Sequence, residues 1–177
     1  MSDADWGGET LHALYKLGYR NVAGIDQSQE CVDLCRSMGF ARCCKADAMR
    51  YFDNCTQTYD VIFFNDIIEH FRLEDAVHIL KGMERCLRPQ GVLLVKTMNA
   101  ANALLAVTTL YSDLTHKTMY DEFSLREVLM LAGFERKNIM VRGSNLYCFY
   151  RNPLNYIVWG GGKTVFYDAA GLFYAEQ

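Results

Sequence analysis

Between Thr10 and Lys96, short apolar runs alternate with stripes of apolar residues at helical spacing. That alternation constrains the fold more than any other feature of the chain. Thr10 to Leu17 places Leu11, Leu14, Tyr15 and Leu17 near one face, and Gly18 follows as a stop. Asn21 to Asp26 is a short apolar run ending in an acid, which reads as a buried strand. Gln29 to Met38 sets Cys31, Val32, Cys35 and Met38 at helical spacing before Gly39. Phe40 to Ala46 reads as another strand, with Asp47 at its end. Tyr59-Asp-Val-Ile-Phe-Phe64 has the continuous apolar core of a strand covered on both faces. Leu73 to Leu87 carries one stripe through Ala76, Leu80, Met83 and Leu87. Pro89-Gln-Gly91 is expected to break it, and Gly91 to Lys96 reads as the next strand.

Strands joined through helices run parallel, so an α/β fold with a doubly wound, mostly parallel sheet is expected. Ser124-Leu-Arg-Glu127 reads as a capping box opening a helix to Ala132, with Gly133 as its stop. Asn138 to Arg142 and Leu146 to Tyr150 are separated only by Gly143-Ser-Asn145. So short a joint cannot carry a parallel crossover, and an antiparallel C-terminal hairpin is predicted.

The chain has 177 residues, 51% apolar, which suits one ordinary domain. Residues 1–153 are expected to form it. Residues 154–177, rich in Tyr, Trp and Phe, are expected to pack as an extension on the sheet or at an interface, which leaves a homo-oligomer open. A net charge of -3 with no Lys/Arg block argues against nucleic acid as a partner. The run Thr97 to Ser112 is too short and too polar for a membrane span. The N-terminus has neither a basic start nor an apolar core, and the seven cysteines lack metal-type spacing. These features read as reduced thiols of a cytoplasmic protein. Gly160-Gly-Gly-Lys-Thr164 ends like a phosphate loop but has Ile157 where that pattern requires glycine.

Open α/β sheets bind ligands at the carboxyl ends of their strands. The polar residues expected there are Asp26, Asp47, Asn65, Asp66 and Asn99. Asp26 could accept hydrogen bonds from both ribose hydroxyls of an adenosine cofactor, or it could serve the start of the next helix together with Ser28. His70 follows the Tyr59 strand, and His116 lies in the polar stretch Asp113-Leu-Thr-His116. His12 falls on a solvent face, and Glu69 reads as a first-turn charge at a helix N-terminus. His70, Glu74 and His78 repeat at four-residue intervals without a metalloprotease pattern, so a solvated face is expected and no metal.

The stretches WGGETL, NVAGIDQSQECVDLC, KADAMRYF, YDVIFFNDIIEHF and MERCLRPQGVLLV together resemble the class I S-adenosylmethionine-dependent methyltransferases, over residues 7 to 150. The resemblance implies a Rossmann-like fold of the methyltransferase type and S-adenosylmethionine as cofactor. It implies that Gly7 and Gly8 end a glycine loop, that Asp26 holds the ribose with Gln27 beside the adenine, that Asp47 and the Ala48 backbone meet the adenine amino group, and that Asn65 lies beneath the methionine portion. The stretch DLTHKTMYDEFSLREVLMLAGF is similar to family branches of cell-surface glycan and small-metabolite biosynthesis. That implies O-methylation of a sugar or another small molecule. Taking a hydroxyl proton near neutrality suits a histidine, which favours His116 as base or substrate ligand with Asp113 as its orienter, while His70 either joins the chemistry at the strand tip or anchors the helix start against the sheet. The family opens with a strand that this chain has no residues to supply, since Ser2 to Trp6 is polar and acidic. The alternative expectation is therefore a truncated or non-catalytic module that keeps the fold for association.

Overall fold

The computed structural model describes residues 8–101 and 103–143, with three further strand segments at 156–159, 165–167 and 173–175. They divide into two units on either side of the junction between Asn54 and Cys55.

The first unit holds α1 (Gly8–Lys16), β1 (Gly24–Asp26), α2 (Gln29–Ser37), β2 (Cys43–Lys45) and α3 (Ala48–Asn54). β1 and β2 are parallel and joined through α2, with Asp26 opposite Lys45 in register. Leu11, Val32, Cys35, Phe40 and Cys43 form the core between helices and strands. Both strands are shorter than their apolar runs predict. α3 has no forecast in the sequence, because seven residues with only Phe52 buried leave no periodic stripe.

The second unit opens with β3 (Tyr59–Asn65), a 3-10 turn at Ile68–His70, α4 (Leu73–Cys86) and β4 (Leu87–Lys96). β3 and β4 are parallel from Val61 opposite Val92 to Asn65 opposite Lys96. β4 begins at Leu87, earlier than the Pro89–Gly91 break predicts. The break survives as an irregularity, since the register jumps between Tyr59–Leu87 and Val61–Val92. Gln90 takes φ 67° there. A Cβ on Gly91 would lie 2.8 Å from the Arg88 carbonyl oxygen, so only glycine fits the bulge without a shift.

α5 (Ala103–Ser112), α6 (Glu122–Leu131), a second 3-10 turn (Arg136–Asn138) and β5 (Met140–Gly143) follow. α5 is apolar around most of its circumference, so no stripe marks it in the sequence. The capping box of α6 lies three residues before the expected one. Asp121 is the N-cap, accepting from Ser124 N at 2.8 Å and Ser124 Oγ at 2.6 Å, while Ser124 Oγ accepts from Asp121 N at 2.9 Å. Aspartate caps as well as serine, and here the upstream residue wins. β5 pairs antiparallel with β6 (Tyr156–Trp159), and β7 (Val165–Tyr167) pairs antiparallel with β8 (Phe173–Ala175). The hairpin partner expected at 146–150 and the Gly160–Thr164 stretch lie outside the described residues.

The architecture is α/β and Rossmann-like, with two strand–helix–strand units of parallel pairing. The expected continuous sheet is represented by two separate parallel pairs. Among the described residues no strand pairs with the second edge of β1 or of β3. No described helix is long and apolar enough to cross a membrane. The six described cysteines are free thiols, and burial pushes those of Cys43 and Cys86 up to about 11, which leaves them inert.

Candidate active site

In the first unit, the carboxyl ends of β1 and β2 present two carboxylates. Asp26 Oδ1 accepts from Ser28 N at 2.7 Å, and Ser28 Oγ in turn caps α2 at Cys31 N. The capping task thus falls to Ser28, and Asp26 Oδ2 meets no hydrogen-bond partner among the described residues. Asp47 accepts from Arg50 N at 3.0 Å at the start of α3, and its Oδ2 accepts from the Gln27 amide at 3.0 Å. Ala48 is the first residue of α3. Gly8 opens α1 and is buried beside Cys35 and Met38, while Gly7 lies outside the described residues.

In the second unit, the tips of β3 and β4 meet a segment from far along the chain. Asn65 ends β3, and Asp66 follows in the left-handed region at φ 51° with its N–H on the Lys96 carbonyl. Asp66 and Lys96 form an ion pair at 2.6 Å. The Ile68–His70 turn then receives residues 113–118. Lys117 N and Thr118 N both donate to the Glu69 carbonyl, at 2.8 and 3.1 Å, and Thr118 Oγ1 donates to the Phe71 carbonyl. Asn99 forms an isolated parallel bridge with Tyr120.

This docking brings His70, Asp113 and His116 together. The two imidazole centroids are 4.8 Å apart. Thr115 Oγ1 lies 2.8 Å from His70 Nδ1 and 2.6 Å from Asp113 Oδ1. Thr115 holds the Asp113 carboxyl below the usual aspartate range through its hydroxyl and its N–H. An ionised carboxylate only accepts, so the single Thr115 hydroxyl proton points at Asp113. His70 Nδ1 must then be the donor to Thr115, and the lone pair resides on Nε2. Burial, and next the neighbouring His116, lower the His70 pKa and keep the ring neutral. Asp113 Oδ2 also lies 3.9 Å from His116 Nε2, so Asp113 serves His70 more closely than the His116 expected from sequence.

Glu69 stands in the first turn of the 3-10 helix, as expected, but it is 2% exposed, and its carboxylate accepts from Thr97 Oγ1 at 2.9 Å. Desolvation pushes its pKa up to about 7. Its setting between Ile67, Ile68 and Phe71 is the signal in the sequence that pointed to burial. Thr115 carried no such signal. Tyr120 is also buried, and its hydroxyl, beside Thr118, meets no partner at hydrogen-bond geometry. His12, Glu74 and His78 are exposed, and His70 sits in the 3-10 turn before α4, so the four-residue spacing makes no common face.

Residues 6–95 match the family described as "Methyltransferase domain". The chain belongs to that methyltransferase family. No curated protein matches it. Among solved structures, an S-adenosylmethionine-dependent methyltransferase from Archaeoglobus fulgidus is similar at 18% identity and TM-score 0.72, covering 88% of this chain and 81% of that one. One from Clostridium acetobutylicum ATCC 824 is similar at 16% identity and TM-score 0.61, covering 86% and 79%. The mitomycin 7-O-methyltransferase MmcR is similar at 19% identity and TM-score 0.63, and this chain spans 47% of its length. At these identities the likeness is one of fold, and the fold is that of S-adenosylmethionine-dependent methyltransferases.

The donor set of the methyltransferase's first unit fits that cofactor. A ribose hydroxyl needs a strong acceptor, which Asp26 Oδ2 offers, and Asp47 Oδ2 already takes a planar amide N–H from Gln27, the same kind of donor as an adenine amino group.

Proposed function

We propose that this methyltransferase moves the methyl group of S-adenosylmethionine to a hydroxyl oxygen of a small metabolite or sugar. The observation that carries the reading is the chain His70–Thr115–Asp113, which fixes a neutral imidazole with its lone pair on Nε2. An alcohol is a weak nucleophile until its proton is taken, and a fixed neutral imidazole beside the reacting oxygen supports that step.

Bound S-adenosylmethionine supplies a methyl group on a positive sulfur, which is already electrophilic. Asp26, Gln27, Asp47 and Ala48 would hold the adenosine. On the acceptor side, His70 Nε2 accepts the hydroxyl proton, and Asp113 stabilises the ring through Thr115 as it gains charge. His116 orients the acceptor beside it. The chemistry asked of the protein is mainly alignment of the acceptor with the methyl group.

The test is calorimetric titration with S-adenosylmethionine and with its demethylated product, followed by release of that product in the presence of hydroxylated small molecules. Asp26→Ala is expected to lose about 1.5–3 kcal/mol of cofactor affinity, the worth of a hydrogen bond to a charged group. His70→Ala and His116→Ala are expected to lower turnover with cofactor affinity kept. No binding of either ligand by the intact chain would refute the reading in favour of a non-catalytic module.

A further inference from the structure

Glu69 is a buried carboxylate whose hydrogen-bond donors are neutral, the Thr97 hydroxyl at 2.9 Å and its own backbone N–H. Lys96, the nearby ammonium, is held by Asp66 at 2.6 Å. Burying a carboxylate is costly unless a positive charge accompanies it or it takes up a proton. Facing Glu69 are the two imidazoles of His70 and His116. One carboxylate oxygen and one nitrogen from each ring all lie within 4.8 Å of one another.

We propose that Glu69, His70 and His116 form a binding site for one divalent first-row transition-metal cation. Bonds of about 2.0–2.2 Å to such an ion put its ligands roughly 3–4 Å apart, so the widest pair of the group closes by about 1–2 Å to seat it. The donor types agree, since imidazole with carboxylate suits manganese, iron, cobalt and zinc and leaves coordination positions open. The surroundings agree as well. A ligating histidine usually gives its other N–H to an acceptor, and with Nε2 toward the ion His70 would give its Nδ1–H to Thr115, backed by Asp113. Thr97 steadies the carboxylate in the same way.

The three ligands come from two segments, the 68–70 turn and the 113–118 stretch, which the Glu69 carbonyl joins by backbone hydrogen bonds. The three side chains are therefore gathered before any ion arrives. Its use in catalysis rests on the methyl-transfer reading: an acceptor oxygen in an open position would be polarised by the ion, as an alternative to proton removal by a free His70. Binding of the ion does not depend on that reading.

The test is titration of chelator-treated, full-length protein with Mn2+ alone, followed by calorimetry and by electron paramagnetic resonance. One Mn2+ per chain is expected, with nitrogen hyperfine coupling from the histidines. Glu69→Gln and His116→Ala are expected to weaken binding at least tenfold, and His12→Ala, on the exposed face of α1, to leave it unchanged. No binding at millimolar Mn2+, binding indifferent to both substitutions, or bound Mn2+ without nitrogen coupling would each overturn the site. Should Glu69→Gln fail to fold, His116→Ala and the coupling in the unmodified protein still decide. Mn2+ binding by a chain that takes no S-adenosylmethionine would uphold the site and refute the methyl-transfer reading. Methyl transfer by a chain that takes no Mn2+ would do the reverse.

Discussion

Replacing Thr115 by valine tests the proton arrangement at His70. The two side chains are nearly equal in shape, so the change removes the hydroxyl that joins His70 Nδ1 to Asp113 and little else. A net hydrogen bond of this kind is worth about 0.5–1.5 kcal/mol. At about 1.4 kcal/mol per factor of ten, the preference for the Nδ1–H form should fall roughly two- to twelvefold. Nitrogen-15 NMR of the imidazole ring reads that ratio directly and needs no acceptor. The unmodified protein should show His70 protonated at Nδ1, Thr115→Val should show a larger share protonated at Nε2, and Thr115→Ser should resemble the unmodified protein. Turnover should fall in the valine variant by at most that factor, since only rings with a free Nε2 can take the proton. A ring protonated at Nε2 in the unmodified protein, or an unchanged ratio in Thr115→Val, would refute the reasoning.

Substitutions at two further positions test the scaffold, all read by chemical denaturation. Asp121→Ala removes the α6 cap and should cost about 1 kcal/mol. The Ser124 hydroxyl and N–H hold the Asp121 pKa below its usual value, so its stabilisation is complete above roughly pH 4, the unfolded value, and fades as pH falls through the lower folded one. The gap between Asp121→Asn and the unmodified protein should therefore narrow in acid. Gly91→Ala forces a Cβ against the Arg88 carbonyl at 2.8 Å and should destabilise by about 1–3 kcal/mol, whereas an unchanged midpoint would mean that the bulge relaxes freely.

Much of the fold was legible because periodicity reports burial. The stripe through Ala76, Leu80 and Met83 foretold α4, and the run at Tyr59 foretold β3, since both sit in the core. α3 and α5 escaped, one too short and one too uniformly apolar to show a period. Asp26, Asp47 and Asn65 were legible as polar residues at strand ends, where the chain reverses. That His70, Asp113 and His116 would converge could be suspected from residue type, but not the wiring. Thr115 takes its place from an Asx-type turn, Thr115 N on Asp113 Oδ1 at 2.8 Å, and from backbone bonds between residues about fifty apart, which leave no mark in local composition. Glu69 was legible as a charge in the first turn of a helix, but its burial was not, because a single charged residue leaves no periodic mark.

The way residues 113–118 attach to the Glu69 carbonyl has an evolutionary corollary. Main-chain groups make the joint, so it is indifferent to most side chains along it. Leu114, 91% exposed, and the exposed Lys117 can be exchanged without shifting the histidines they flank. A lineage could thus retune which molecule it accepts by drifting at those two positions, while the proposed reactive centre next to them is inherited intact.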